Sequence, residues 1–326
     1  MASTFQRIDT HHHIMPPCWL KTAGERIMSS AIGIPRGWMF DWTPEVSIEA
    51  MDEFSIGVTI GSVSTPGVSF DGVAAGRTLA RECNDYGAKM ISDHPTRFGI
   101  FAILPMPDVE GTLKEIEYSL DVLKLDGVCF MTNFGDTWPG DPKYREVFDE
   151  LNRRKAVAFF HPHLLESAQI HQPDVPPAVL EYPFDSTRAI ASLLYSGTFT
   201  RCPDTKYIFS HGGGALPFLA GRIAALSRRP TAEAKRLADL LPNGPEYELK
   251  RLYYDIPSAT NTPAMAALLD LVPVENVLFG TDFPYLRADR ASNQFDTLTF
   301  SDADRAAILR RNAVRLMPRL AGLVAA

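Results

Sequence analysis

The chain has 326 residues, of which 45% are hydrophobic and 22% charged, and its formal net charge is −7. This is globular composition, and an acidic chain without a block of lysine and arginine lacks the charge pattern of a nucleic-acid-binding protein. It contains no apolar run near the ~20 residues of a membrane helix, no signal-peptide pattern and no CxxC pair among its four cysteines. We therefore expect a cytoplasmic enzyme, with residues 1–326 in one domain.

Short apolar, β-branched runs alternate along the chain with longer amphipathic segments. The predicted strands are Arg7–His13, Gly57–Ser64, Phe98–Leu104, Gly127–Thr132, Ala156–His161, Lys206–His211, Leu252–Ile256 and Val277–Asp282. The predicted helices are Glu49–Phe54, Ala74–His94, Val109–Leu123, Tyr144–Arg154, Ser186–Tyr195, Leu216–Leu226 and Pro263–Leu271. Continuously apolar strands that alternate with helices are typical of a parallel sheet covered on both faces. Eight such units, with no GxGxxG after the first strand, predict a (β/α)8 TIM barrel rather than an open doubly wound sheet. Loop or helical insertions are predicted at Asp174–Asp185 and Pro230–Lys250.

Six of the eight histidines lie at the carboxyl ends of predicted strands, the end that carries the active site in (β/α)8 enzymes. They are His11, His12, His13, His161, His163 and His211. Strand alternation places His11 and His13 on one face and His12 on the other. Asp282 ends the eighth strand, next to the first in a closed barrel, and His161 ends the fifth. Three imidazoles and one carboxylate suit a single Zn²⁺ first, with Mn²⁺ or iron as alternatives.

The other histidines receive separate predictions. His211, which ends the sixth strand, is expected beside the metal as a further ligand or as an acid/base. We expect His12 to pack or to support the site from behind. His163 follows a proline and is expected in a loop within reach of the substrate, whereas His94 and His171 are expected at the surface.

Several motifs resemble the metal-dependent decarboxylase branch of the amidohydrolase superfamily, over about residues 7–318. Those that carry the metal chemistry are Asp9–Pro16 (DTHHHIMP), Phe159–Pro162 (FFHP), Ser210–Gly214 (SHGGG) and Gly280–Pro284 (GTDFP). Within that branch, other segments look most like the 6-methylsalicylate decarboxylase group. These are Trp42–Val46, Ser64–Val68, Thr132–Gly135 and Glu181–Asp185.

The resemblance implies roles for particular residues. One divalent ion would be held by His11, His13, His161 and Asp282, and His211 would be the catalytic histidine beside it. Arg222, after the sixth-strand His-Gly-Gly-Gly, would reach across a homodimer interface to the carboxylate of the neighbouring subunit's substrate. A homodimer or higher homo-oligomer is therefore expected.

The segment Gly37–Trp42 is aromatic, whereas dicarboxylate-specific relatives carry arginines there. Arg36 is the only cation nearby, so a flat aromatic monoacid fits the sequence better than a dicarboxylate. We expect Trp42, Asn133, Phe184 and Phe283 to line the ring-binding site.

By this resemblance, the function is non-oxidative decarboxylation of an ortho-hydroxy aromatic acid, such as 6-methylsalicylate, which would give m-cresol and CO₂. Asp282 would protonate the ring carbon that bears the carboxyl group, and His211 would orient the substrate or move a proton. The alternative is a metal-dependent hydrolase on the same barrel, such as a lactonase, in which the metal activates water. A non-catalytic barrel is disfavoured because no predicted ligand is missing.

Overall fold

The computed structural model describes residues 7–29, 34–165 and 175–323. Its eight parallel strands are β1 (Arg7–His13), β2 (Ile56–Ser62), β3 (Phe98–Ile103), β4 (Gly127–Met131), β5 (Val157–His161), β6 (Lys206–Phe209), β7 (Tyr253–Asp255) and β8 (Val277–Leu278), which pair in that order. Backbone hydrogen bonds join β1 to the chain just after β8 and so close the sheet; among them, Thr10 N–H donates to the carbonyl of Phe279 and Asp282 N–H donates to that of His11. The predicted (β/α)8 barrel is confirmed.

Helices surround the sheet. Those that lie wholly among the described residues are α1 (Pro17–Ala23), α2 (Arg36–Phe40), α3 (Pro44–Glu53), α4 (Val73–Asp93), α5 (Val109–Glu117), α6 (Arg145–Arg154), α7 (Glu181–Tyr195), α8 (Thr198–Arg201), α9 (Leu216–Ala225), α10 (Ala232–Leu240), α11 (Pro245–Lys250), α12 (Thr262–Leu271), α13 (Ala288–Asp296), α14 (Asp302–Ala306) and α15 (Asn312–Leu316). Within this part of the chain, no helix is both long and apolar enough to cross a membrane.

All seven predicted helices are present, with ends that differ by a few residues. The insertion predicted at Pro230–Lys250 is helical and contains α10 and α11. Sequence periodicity did not reveal α1, α2 or the helices after β8, which have only five to nine residues. Helices this short are stabilised by tertiary packing rather than by their own sequence, so their periodicity is weak.

Six of the predicted strands end one to four residues earlier than expected, and in β6 and β8 this changes how a site residue is held. β6 stops at Phe209 and β8 at Leu278, so that His211 and Asp282 lie beyond the strands. Both residues have positive φ angles, 55° and 63°. Left-handed backbone cannot continue a strand, so these side chains are aimed by turns instead of by strand alternation.

Strand β5 shows how alternation divides the core from the site. Phe159 and His161 face the barrel interior, where the ring of Phe159 contacts that of His11 at a centroid distance of 5.1 Å. Phe160 faces outward and stacks on Phe209 and Phe130, at 4.7 and 5.1 Å. The aromatic layer outside the sheet therefore fixes the strand whose inner face carries a site histidine.

Candidate metal centre and active-site cavity

Four buried side chains converge at the carboxyl end of the barrel. Ligand atoms of His11, His13, His161 and Asp282 all lie within 4.8 Å of one another, the one such cluster found in the described ranges. Asp282 Oδ1 is 3.0 Å from His13 Nε2 and 3.3 Å from His11 Nε2. These are the four residues that the sequence predicts as metal ligands.

The second nitrogen of each of these imidazoles faces an oxygen that can only accept a hydrogen bond. The Nδ1–H groups of His11, His13 and His161 thus donate to Asp255 Oδ2 at 2.9 Å, the carbonyl of Ser62 at 3.2 Å and the carbonyl of Pro162 at 2.9 Å. This arrangement leaves the Nε2 lone pairs directed into the cluster. The Nε2 atoms of His11 and His13 are only 3.2 Å apart, which suits a cation bound by both.

The charges of the site also suit a cation. Burial lowers the pKa of His11, but the carboxylates of Asp255 and Asp282 outweigh this effect and raise it to about 10. Burial holds the pKa values of His13 and His161 below the ordinary value, so these imidazoles are neutral, as metal ligands must be. Burial alone would raise the pKa of Asp282, yet the charge of His11 and the hydrogen bonds donated by His11 and His211 hold it well below its usual range. In the ion-free cluster, His11 is therefore protonated between the carboxylates of Asp255 and Asp282. A divalent ion could replace that proton as the positive charge.

A second hydrogen-bond network fixes β1 against the chain after β8. Asp9 accepts from the backbone N–H groups of His11 and Thr281 and from the Thr281 hydroxyl. His12 donates from Nδ1 to Asp9 and accepts from the Ser47 hydroxyl on α3, at 3.1 and 2.8 Å. Trp42 in turn donates to Ser47 at 3.0 Å. The Ser47–His12–Asp9 chain is fully buried, so it supports the metal ligands from behind and has no access to a substrate.

The turns that follow β6 and β8, and that contain His211 and Asp282, require glycine for their packing and backbone conformation. A Cβ atom at Gly280 would lie 2.7 Å from the Cβ of His11, so only glycine lets the chain pass this close to the metal ligand. Residues 211–214 all have positive φ angles, and a Cβ at Gly214 would overlap the carbonyl of Pro183. These packing needs explain the Gly-Thr-Asp and His-Gly-Gly-Gly motifs.

His211 lies beside the cluster at the base of a cavity of about 270 Å³. Its Nε2–H donates to Asp282 Oδ2 at 3.2 Å, and its side chain retains 13% exposure. Asp282 and His161 also reach the cavity wall, which is otherwise mostly apolar and includes Tyr182 and Tyr285. A carboxylate that faces both the ligand cluster and this cavity can bind a metal and contact a substrate at the same time.

The four residues predicted to line the ring-binding site do not form this cavity wall. Trp42 lies behind His12, and Phe283 stacks on the His12 ring at 5.1 Å. Asn133 is buried and donates to Asp185, and it lines a separate, larger cavity. Phe184 lies on the outer side of α7 and is 40% exposed. Alternation and motif position predicted their neighbourhood, but the direction of each side chain depends on tertiary packing.

The remaining predicted residues lie around the cavity or at the surface. Arg222 is exposed on α9, and Arg36 pairs with Glu25 at 2.8 Å, also on the surface. His163 lines a larger neighbouring cavity of about 870 Å³, where its Nδ1 lies 2.6 Å from the hydroxyl of Thr65, a residue that lines both cavities. His94 is half-buried against Phe98 rather than fully at the surface, and His171 lies outside the described residues.

Asp255 is the site residue that the sequence reasoning missed. It ends β7 and contacts both His11 and the backbone of His211. The available signal was an aspartate within the seventh predicted strand, at the same barrel end as the predicted ligands.

A cluster of three histidines and one aspartate suited to a divalent metal, at the carboxyl end of a (β/α)8 barrel, defines the class of protein. The amidohydrolase family model matches residues 8–319, and the chain belongs to this family.

Its relatives define the type of enzyme more closely. The chain is 36% identical to decarboxylase yanB of Aspergillus niger, over 96% of this chain and 88% of that protein. It is 32% identical to 6-methylsalicylic acid decarboxylase of Penicillium expansum, over 98% of each. Its fold matches dihydroxybenzoic acid decarboxylase of Polaromonas sp. JS666, solved with manganese and 2-nitroresorcinol, with a TM-score of 0.80, 22% identity and 96% coverage of each chain. The prediction of a metal-dependent decarboxylase of this family is confirmed, and the hydrolase alternative is not supported by these relatives.

Proposed function

We propose that the protein decarboxylates a single-ring ortho-hydroxy aromatic acid, with 6-methylsalicylate as the first candidate and m-cresol and CO₂ as its products. The observation that carries this proposal is the position of Asp282, which contacts His11 and His13 through Oδ1 and His211 through Oδ2 at the cavity wall. The names of the relatives support the substrate class.

The cavity has the size and polarity for such a substrate. Its volume of about 270 Å³ lies just below the ~300–1,000 Å³ that small-molecule pockets span, which favours one ring over two. Its walls are largely apolar, and the described residues that form them include no lysine or arginine. The acid must therefore find its countercharge in the metal and in a residue from outside this wall.

In the proposed reaction, Asp282 and His211 deliver the proton that replaces the carboxyl group. The net change replaces the ring C–COO⁻ bond with a C–H bond, so one proton enters and CO₂ leaves. His11, His13, His161 and Asp282 would hold a divalent ion, and as a Lewis acid the ion would favour the ionised form of the ortho-hydroxyl, which raises electron density at the carboxyl-bearing carbon. Asp282 gives the proton to that carbon. Because the pKa of Asp282 is well below its ordinary value, the proton must reach it on substrate binding, and the Nε2–H of His211 at 3.2 Å provides the path.

We propose Zn²⁺ as the resident ion, because three imidazoles and one carboxylate form a donor set that zinc favours. Mn²⁺ is the alternative, supported by the manganese in the Polaromonas enzyme. The cytoplasmic location stays a prediction.

A substrate comparison tests the function. The metal-loaded protein should convert 6-methylsalicylate into m-cresol with one CO₂ per acid consumed, measured by chromatography and CO₂ trapping. An aromatic dicarboxylate and a simple lactone are the matched comparisons and should react far more slowly. Turnover of the lactone without CO₂ release from any hydroxybenzoate would refute the proposal.

We further propose that Arg222 completes the site of a neighbouring subunit in a homodimer. Arg222 is exposed and has no ion pair or hydrogen bond within the described ranges, while Phe218, one turn earlier on α9, is 88% exposed. An exposed aromatic ring beside an unpaired arginine is typical of an interface. The absence of a cation from the described cavity wall leaves a role for this arginine.

Mixing two inactive variants tests this sharing. Combined His211→Ala and Arg222→Ala subunits should form mixed dimers with one intact site each, which gives about a quarter of the parental activity for random pairing. Each variant alone should stay inactive. Mixed dimers demonstrated by mass spectrometry that show no recovered activity would contradict the shared site.

A further inference from the structure

Asp255 divides its two oxygens between a metal ligand and the catalytic histidine. The side chain is fully buried at the end of β7. Its Oδ2 accepts from Nδ1–H of His11 at 2.9 Å, and its Oδ1 accepts from the backbone N–H of His211 at 2.7 Å. The carboxylate of Asp255 thus links two parts of the site. One is β1, which contains the metal ligand His11, and the other is the turn that contains His211.

We propose that Asp255 is a positioning residue that sets two properties of the site at once. These properties are the location of the proton on His11 and the left-handed backbone of His211. The first controls metal binding, and the second controls the contact between His211 and Asp282.

The effect on His11 follows from the chemistry of a carboxylate. Because the oxygens of Asp255 only accept hydrogen bonds, the neutral imidazole of His11 must carry its proton on Nδ1, and Nε2 then presents its lone pair to a metal ion. Nε2 is the atom that faces His13 and Asp282, at 3.2 and 3.3 Å. Asp255 thereby keeps His11 in the tautomer that can ligate the ion.

The effect on His211 follows from its backbone. A φ of 55° is unfavourable for a residue with a Cβ atom, and His211 adopts it at the start of a turn in which the next three residues are glycine. The hydrogen bond from its N–H to Asp255 offsets this cost. In that conformation, His211 Nε2 lies 3.2 Å from Asp282 Oδ2.

The Asp255→Asn variant tests the proposal, because asparagine keeps the shape but replaces one acceptor with a donor. An amide NH₂ that faces His11 would force the imidazole proton onto Nε2, and one that faces His211 would oppose its N–H. We expect the dissociation constant for Zn²⁺ to rise about 10- to 100-fold, the usual effect of losing a partner behind a metal ligand. The constant can be measured by competition with a chromophoric chelator.

Glu115→Gln is the matched control. Glu115 is also a buried carboxylate with hydrogen bonds from Arg81 and Asn84, but it lies between α4 and α5 and contacts no site residue. We expect its Zn²⁺ affinity to stay at the parental value. Parental Zn²⁺ affinity in a folded Asp255→Asn protein, shown by circular dichroism, would overturn the proposal whether or not turnover falls.

A measurement on the parent keeps the proposal testable if Asp255→Asn does not fold. In the Zn²⁺-loaded parent labelled with ¹⁵N-histidine, the resonances of His11 should show a proton on Nδ1, whereas a proton on Nε2 would overturn the proposal. The turnover arm rests on the proposed function, and it predicts a lower kcat for Asp255→Asn at saturating Zn²⁺. The Zn²⁺-affinity measurement does not depend on the substrate. If the parent fails to decarboxylate the candidate acid, the proposed role of Asp255 in metal binding can therefore still be tested.

Discussion

Replacing Asp282 with asparagine is expected to lower kcat by about 10²- to 10⁴-fold, the usual contribution of a positioned proton donor. Asparagine retains the shape and an oxygen for the ion, but its amide cannot carry the proton that must reach the ring carbon. The loss should appear in kcat rather than in KM, since the cavity wall is otherwise unchanged. Steady-state kinetics on protein of measured metal content provides the readout.

Two controls make this result interpretable. Glu115→Gln applies the same carboxylate-to-amide change away from the site and should retain parental kcat. The metal content of Asp282→Asn must also match that of the parent, because Asp282 Oδ1 belongs to the ligand cluster. Substantial turnover by a metal-replete Asp282→Asn protein would remove Asp282 from the role of proton donor.

Removal of the metal by a chelator is expected to reduce turnover by about 10³-fold or more, because Lewis-acid stabilisation is worth several kcal/mol. In the ion-free site, the pKa of His11 is about 10, so at neutral pH this residue is protonated and its charge is balanced by Asp255 and Asp282. The cluster then offers no Lewis acid to an ionised hydroxyl.

Titration with added metal completes this experiment. Activity should return in proportion to Zn²⁺ and reach its plateau at one ion per chain, as expected for one cluster of four ligands. A parallel titration with Mn²⁺ compares the two candidate ions, and Mg²⁺ is the control because it prefers oxygen ligands. Full activity in protein that contains almost no metal would contradict the assigned role of the cluster.

The metal ligands could be predicted from the sequence because strand alternation is a local property. His11 and His13 are two residues apart on β1, so their shared direction follows from the pleat, and His12 necessarily faces α3. His161 ends a continuously apolar strand, which places it at the same edge. The barrel itself was predictable from eight such strands separated by helices.

The directions of side chains beyond the strands could not be derived from the local sequence. The positions of His211 and Asp282 near the metal were predicted, but left-handed turns aim their side chains, and these turns depend on close packing at Gly280 and Gly214. Asp255 acquires its role only because β7 lies beside both β6 and β8 in the closed sheet. The direction of Trp42 depends on its hydrogen bond to a serine on another element. These are tertiary contacts, and sequence periodicity carries no information about them.

The most direct test of the account is decarboxylation of 6-methylsalicylate in D₂O, followed by mass-resolved chromatography of the products. The metal-loaded parent should give m-cresol with one deuterium, at the ring carbon that carried the carboxyl group. Chelator-treated protein and Asp282→Asn should form this product at least about 10²-fold more slowly. Unchanged acid with the metal-loaded parent, together with hydrolysis of a lactone at the same site, would contradict the account.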